Sequence, residues 1–145
     1  MAQLDDEWLD VASIARVEVT SEDPEHPVES VFNLGQGPGW RASGSGEQTI
    51  RLIFDQPQHV HRIWLRFVES DRERTQEFVL RWSGGSGSPV REIARQQFNF
   101  SPGGSAVEVE DYKVDLQKIG VLELAIKADI SDHRVPATLA EWRVA

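Results

Sequence analysis

A charge-alternating segment at residues 69–75, E-S-D-R-E-R-T, contains side chains well suited to holding a polar ligand. The planar guanidinium of arginine donates two parallel hydrogen bonds, which suits vicinal hydroxyl groups or a carboxylate. Arg72 and Arg74 offer two such groups beside the carboxyl group of Glu69. Alternating charges are also typical of a solvated turn, in which each ion pair contributes at most about 1 kcal/mol. The sequence alone leaves both interpretations open.

Two further candidates lie in loops rich in glycine and proline. Trp40 ends the segment G-Q-G-P-G-W at residues 35–40. An aromatic ring at a loop tip can stack on the apolar C–H face of a sugar ring. Large aromatic side chains are mostly buried, however, which favours Trp40 as a plug at one end of the fold. His26, between Pro24 and Pro27, is a candidate contact for the same ligand site.

His59 and His61 are two residues apart and share one face at the start of a predicted strand. Such a pair could begin a metal site, but zinc usually needs a third protein ligand. No third histidine and no cysteine stands nearby in the sequence, which favours a surface pair. The sequence therefore predicts no metal site.

The sequence lacks the motifs of common catalytic sites, namely the nucleophile elbow, the Walker loop, HExxH and the dinucleotide-binding glycine pattern. The chain has no cysteine, which excludes a thiol nucleophile and a disulfide framework. Its glycine-rich segments do not open long helices, so they cannot present amide groups to phosphate in the usual way. We therefore predict a protein that is not an enzyme and that uses no cofactor.

Length and charge narrow the class of protein further. A chain of 145 residues with 39% hydrophobic and 27% charged residues suits a single globular domain. The formal net charge of −9 disfavours nucleic acid as a partner. No apolar run reaches the roughly 18 residues of a membrane span. The first ten residues are acidic and lack the features of a signal peptide, so we expect a cytoplasmic protein.

Period-two alternation of apolar residues predicts strands along most of the chain. Residues 48–67 are predicted to form two strands joined by a turn at 55–58, because Pro57 cannot donate a ladder hydrogen bond. Further strands are predicted near residues 13–21, 76–82, 90–100, 106–116, 121–127 and 137–144. A turn at 117–120 separates two of them. This number of short strands indicates a two-sheet antiparallel sandwich.

Two local features interrupt the strand pattern. Val28, Val31 and Phe32 have helical spacing after Pro27, which predicts one short helix. Within residues 106–116 the inward-facing register shifts after Val109, which predicts a β-bulge near residues 110–111.

The order of these features resembles the galactose-binding-like superfamily, which includes discoidin and coagulation-factor type C domains. The matching elements are T-S-E-D-P-E-H-P-V-E-S-V-F-N, G-W-R-A, T-I-R-L-I-F, V-H-R-I-W-L-R-F, W-S-G and A-T-L-A-E-W-R-V. The resemblance covers most of the chain from Ala15 onward. It implies an all-β, antiparallel jelly-roll β-sandwich of about eight strands with one short helix. The domain would span residues 13–145, after an N-terminal extension at 1–12.

The resemblance also implies a function and its site residues. In sugar-binding members, an arginine in the connection after the central strand often holds sugar hydroxyls, and Arg72 and Arg74 occupy that region. We therefore expect a noncatalytic binding module for carbohydrate or another polar small ligand. Its candidate contacts are Glu69, Arg72, Arg74, Trp40 and His26. The alternative is an intracellular protein–protein interaction or assembly module. The choice between a carbohydrate and a protein partner, and the oligomeric state, stay open.

Calcium is a separate question raised by the resemblance. Many members hold a structural Ca²⁺ with an Asp-Gly loop after the short helix and a glutamate in the last strand. Glu141 matches that glutamate, but Asn33-Leu34-Gly35 replaces the Asp-Gly pair and lacks its carboxylate. Calcium takes roughly six to eight oxygen ligands, several of them carboxylates. The sequence leaves calcium binding open.

Overall fold

The structure is a computed structural model that describes residues 8–131 and 134–145. The described residues form eight strands, one short α-helix and one 3₁₀ helix. The strands are β1 (Ala15–Val19), β2 (Trp40–Arg41), β3 (Gln48–Val68), β4 (Arg74–Ser83), β5 (Arg91–Phe100), β6 (Val107–Lys127), β7 (Thr138–Leu139) and β8 (Glu141–Val144). The α-helix α1 spans Val11–Ile14, and the 3₁₀ helix spans Val28–Phe32.

The two longest strands, β3 and β6, have 21 residues each and pair antiparallel from end to end. Their register is interrupted midway, where Gln58 pairs with Ile119 and Lys118 has a φ of 58°. The predicted turns at 55–58 and 117–120 are therefore wrong, because the chain bends there within a strand and does not reverse. Pro57 cannot donate a hydrogen bond to the ladder. A bend within a strand accommodates this missing bond just as a turn does.

The bend divides β3 and β6 between two layers of a sandwich. In one layer, the first half of β3 lies between β1 and the second half of β6, which continues to β4 and β5. In the other layer, the second half of β3 lies between β8 and the first half of β6. The rings of Phe67 and Phe78 stack across the core with centroids 5.2 Å apart. The predicted all-β antiparallel sandwich is confirmed.

Short helical segments lie where the chain enters the sandwich. The predicted helix after Pro27 is confirmed as the 3₁₀ helix, which buries Val28 and Val31. The first strand begins two residues later than predicted because α1 occupies Val11–Ile14. Before α1, the amide of Leu9 donates to the carbonyl oxygen of Val144 at 2.7 Å. No helix in the described part of the chain is long and apolar enough to cross a membrane.

The first half of β6 places carboxyl groups on its inner face. Glu108 is buried and Glu110 is half-buried, and the register with β3 runs unbroken from Val107 to Lys113. The predicted bulge at residues 110–111 is therefore wrong. The apolar pattern is interrupted because glutamates occupy inward positions of a regular strand.

We expect Gly120→Ala to destabilise the fold, because Gly120 packs against a neighbouring backbone. A Cβ at this position would lie 2.5 Å from the carbonyl oxygen of Gly84 and 3.1 Å from the Cα of Gly85. Relief requires a backbone shift, so the free energy of unfolding should fall by about 1–3 kcal/mol in urea denaturation. Gly44→Ala is the matched control, since no atom lies within 4 Å of its added Cβ. Equal losses in the two variants would contradict the close packing at Gly120.

Candidate binding site

A cleft of about 280 Å³ lies at one end of the sandwich, where β3 ends. Its walls are the segment that contains β2, the loop at 68–72 and residues 136–140 around β7. The short β2–β7 ladder joins two of these walls by pairing Trp40 with Leu139. Four of the five predicted site residues line this cleft, namely His26, Trp40, Glu69 and Arg72. Whether they bind a ligand stays a prediction.

Trp40 forms the floor of the cleft and has only 1% of its surface exposed. Its indole Nε1 donates to the carbonyl oxygen of Ser21 at 3.0 Å. Gly39 has a φ of 79°, and a Cβ there would lie 2.9 Å from the carbonyl oxygen of Leu139. Glycine therefore allows β2 to approach β7 closely. Trp40 closes this end of the core, and its ring face is not available for stacking on a sugar.

Arg74 lies inside the molecule, although residues 69–75 read as one polar loop in the sequence. It is the first residue of β4, and its side chain has 0% of its surface exposed. The guanidinium donates to Glu69 Oε1 at 2.8 Å and to the carbonyl oxygen of Ala128 at 2.7 Å. It also lies 4.6 Å from the ring centre of Phe100. Arg74 does not line the cleft, and it acts as a brace behind the cleft wall.

Glu69 connects this brace to the loop. Its Oε2 accepts a hydrogen bond from the Asp71 amide at 3.0 Å, while its Oε1 is held by Arg74. Partial burial by itself would raise the pKa of Glu69, but the hydrogen bonds from Arg74 and Asp71, with the charge of Arg74, lower the pKa below its usual value. Glu69 is thus a carboxylate at neutral pH that fixes the shape of the 68–72 loop.

Two exposed arginines border the cleft, Arg72 on the 68–72 loop and Arg41 on β2. Within residues 8–131 and 134–145, neither guanidinium has a hydrogen-bond or ion-pair partner. Arg41 is not among the residues predicted from the sequence to contact a ligand. The signal that could have found it is strand alternation, because a residue next to the buried Trp40 in a strand must face outward.

His26 contributes to the cleft from a tight turn. Its amide donates to the Asp23 carbonyl oxygen at 2.8 Å, and its own carbonyl oxygen accepts from the Arg41 amide at 3.2 Å. The side chain is 27% exposed, and Nδ1 lies 3.6 Å from Asp23 Oδ2. His26 is therefore positioned by the backbone next to Arg41 and remains partly open to the cleft.

The one carboxylate that a calcium ion would need here, Glu141, already has cationic partners. Glu141 is 4% exposed and lies beside the 33–35 turn, since a Cβ on Gly35 would be 3.6 Å from its Oε1. Its Oε1 accepts from Arg66 at 3.0 Å, and its Oε2 accepts from Arg143 at 2.9 and 2.6 Å. Two guanidinium groups thus neutralise the one matching carboxylate. These residues do not fit a calcium site.

A buried polar network continues from Arg74 into the core. The same guanidinium donates to Gln76 Oε1 at 3.2 Å, and Gln76 Nε2 donates to Glu108 Oε1 at 3.1 Å. Glu108 is 1% exposed. Burial, followed by the neighbouring carboxyl of Glu110, raises the pKa of Glu108 to about 9. Burial together with these glutamates also raises the pKa of Tyr112 to about 12. Glu108 is therefore protonated at neutral pH.

Comparison with known proteins identifies the fold. No family model and no curated protein matches the sequence. Solved structures do match, among them the family 32 carbohydrate-binding module of C. perfringens NanJ in complex with galactose, at 11% identity over 94% of this chain and 96% of that chain, with a TM-score of 0.68. The chain has the galactose-binding-like, discoidin-type fold.

Two other structures show how widely this sandwich is used. The family 32 module of AlyQ, in complex with 4,5-unsaturated mannuronic acid, matches at 16% identity over 91% of this chain and 95% of that chain, with a TM-score of 0.63. Reduced XRCC1 bound to the catalytic domain of DNA polymerase β matches at 14% identity over 91% and 96%, also with a TM-score of 0.63. At these identities the similarity concerns the fold.

We expect Arg74→Ala and Arg72→Ala to differ sharply in stability. Arg74→Ala leaves the Glu69 carboxylate and the Ala128 carbonyl without a buried donor, so the free energy of unfolding should fall by about 3–5 kcal/mol. Arg72→Ala removes an exposed side chain and should change it by no more than about 0.5 kcal/mol. Urea denaturation of both variants measures the difference. Similar small losses would show that Arg74 is not the brace.

The raised pKa of Glu108 predicts a pH-dependent cost to stability. Between its ordinary pKa of 4.5 and about 9, the folded state keeps the Glu108 proton while the unfolded state releases it. The contribution of this group to stability therefore falls as pH rises through that window. Glu108→Gln carries no titrating proton and should gain stability over the wild type as pH increases from about 5 to about 8.5.

Thermal unfolding of wild type and Glu108→Gln across this pH range measures that gain. Glu25→Gln, which changes an exposed glutamate, is the matched control and should track the wild type. A constant difference between wild type and Glu108→Gln at all pH values would rule out a protonated Glu108.

Proposed function

We propose that this chain is a noncatalytic carbohydrate-binding module whose ligand occupies the cleft beside Trp40. The observation that carries the proposal is the pair of unpartnered, exposed guanidinium groups, Arg41 and Arg72, on a cleft that the described residues build from three converging segments. The volume of about 280 Å³ is at the lower end of those typical of small-molecule sites. The galactose and mannuronic acid complexes of the same fold support this choice of ligand class.

In this proposal the five predicted residues and Arg41 have different roles. Arg72 donates to the ligand from the loop, and Arg41 extends the same chemistry on the opposite wall. The partly exposed His26 side chain lines the same cleft, and Trp40 closes its floor. Glu69 has one hydrogen bond to each carboxylate oxygen, from Arg74 and from the Asp71 amide, so its role is to shape the loop. Arg74 holds Glu69 in place.

The two exposed guanidinium groups of the cleft favour a sugar that carries a carboxylate, while Asp71 adds one exposed carboxylate to the same lining. Hydrogen bonds between guanidinium and carboxylate are roughly twice as strong as neutral ones, and their planar geometry allows two parallel bonds. Neutral hydroxyl pairs also fit the arginine fork, but they gain only the weaker interaction. A uronic acid is therefore the preferred ligand and a neutral hexose the weaker one.

We expect the wild type to bind galacturonate or mannuronate oligosaccharides more tightly than galactose in calorimetry. Loss of a hydrogen bond to a charged group costs about 1.5–3 kcal/mol, so Arg72→Ala and Arg41→Ala should each weaken binding by roughly 10-fold or more. Arg91→Ala is the matched control, because Arg91 is exposed on β5 and does not line the cleft. Higher salt should weaken uronate binding more than galactose binding.

Absence of binding on a glycan array, or binding that survives both cleft substitutions, would refute the proposal. The remaining candidate would then be a protein-interaction module, which the XRCC1 complex with a polymerase domain supports as a use of this fold. A pull-down that repeatedly recovers one partner, lost on substitution of surface residues outside the cleft, would support that alternative.

A further inference from the structure

The structure brings a third potential metal ligand to the two histidines of β3. The rings of His59 and His61 lie with centroids 4.1 Å apart, and His59 Nε2 hydrogen-bonds to Asp115 on β6. One ligand atom from each of these three residues lies within 4.8 Å of the other two. All three side chains are exposed. The sequence could not show this grouping, because Asp115 is distant in the chain and converges only through strand pairing.

The bend of the long strands creates the grouping. Between the two histidines, Val60 is fully buried and pairs with Leu116, so both imidazoles project outward. On β6 the residue before Leu116 is Asp115, which projects to the same outer face. The register interruptions on either side of Val60 lie within this corner. Two imidazoles and a carboxylate therefore meet at this corner of the sheet.

We propose that His59, His61 and Asp115 form a binding site for a divalent transition-metal ion of the zinc class. Two imidazole nitrogens and one carboxylate oxygen are a donor set that zinc accepts, and a fourth position stays open for water or another ligand. With Zn–N bonds of about 2.0–2.1 Å, a tetrahedral site places its donors about 3.4 Å apart. The present spacing of up to 4.8 Å exceeds that value, so the exposed side chains would rotate to bind the ion.

Neighbouring charged residues determine which side chains belong to the site and how tightly it binds a cation. The nearby carboxylate of Asp111 is held by Arg62 through hydrogen bonds of 2.9 and 2.7 Å, so Asp111 is not counted as a ligand. A cleft that includes Trp8 and Lys113 adjoins the two histidines and leaves room for a fourth ligand. The positive charge of Lys113 opposes cation binding, so we expect an affinity weaker than that of a closed structural zinc site. No residue of this site lines the proposed carbohydrate cleft.

Calorimetric titration of the full chain with Zn²⁺ tests the proposal, with visible absorption of added Co²⁺ as a second readout of nitrogen and oxygen coordination. We expect one ion per chain. His59→Gln, His61→Gln and Asp115→Asn should each raise the Kd by roughly 10-fold or more, since even the loss of an outer-shell partner costs 10–100-fold. His26→Gln is the matched histidine control and should bind Zn²⁺ as the wild type does.

The three substitutions change exposed side chains, so thermal unfolding without metal should match the wild type within a few degrees. Sugar binding should be unaffected by them, which separates this proposal from the carbohydrate proposal. No Zn²⁺ binding by the wild type at millimolar concentration would overturn the site. Binding that persists in His59→Gln and His61→Gln, or that is lost equally in His26→Gln, would overturn it as well.

Discussion

The pairing of β3 with β6 along both halves of their length is the constraint on which the rest of the structure depends. Because the two strands pair on both sides of a common bend, one pair of segments serves both layers of the sandwich. The outer strands add to this pair, with β1 and β4 on one half and β8 on the other. The cleft lies at the end of β3, and the histidine cluster lies at its bend. Both candidate sites are thus positioned by the same strand.

Two buried charged residues, Arg74 and Glu141, are paired, and the pairing of Arg74 explains the geometry of the cleft. Arg74 would be costly to bury alone, but its hydrogen bonds to Glu69, Gln76, Ala128 and Thr138 compensate for its burial, and the bond to Glu69 fixes the loop above it. At the same end of the fold, Glu141 is balanced by Arg66 and Arg143. Arg72 and Arg41 are exposed and have no such partner within the described residues. The distinction between structural and available arginines therefore rests on burial and not on residue type.

Strand alternation predicted the sandwich well, because one buried face gives a period of two wherever the inward residues are apolar. Apolar alternation did not predict the strands correctly where inward-facing residues are polar. The apolar pattern predicted a bulge at residues 110–111 of a regular strand, and it placed Arg74 in a loop where β4 begins. Arg74, Gln76 and Phe78 do alternate, so the sequence pattern fits a strand that begins at a buried arginine. Nothing local distinguishes a bend at Pro57 from a turn.

The sequence indicated which residues lie near the cleft, but it did not indicate the separate role of each. His26, Trp40, Glu69 and Arg72 line it, because the loops at one end of an antiparallel sandwich converge. Their separate roles depend on which oxygens and nitrogens are already bonded, and that depends on contacts across the fold. The same is true of Asp115, whose approach to His59 follows from the register of β6 against β3.

The ion-pair cluster of Glu141 with Arg66 and Arg143 has a consequence for where such a fold can operate. A countercharge that is part of the polypeptide cannot be diluted away or removed by a chelator, whereas a bound ion follows the free concentration around it. The end of the sandwich that carries the cleft is therefore held together by charges encoded in the chain itself. The charge of Glu141 is balanced in the same way in surroundings rich or poor in calcium.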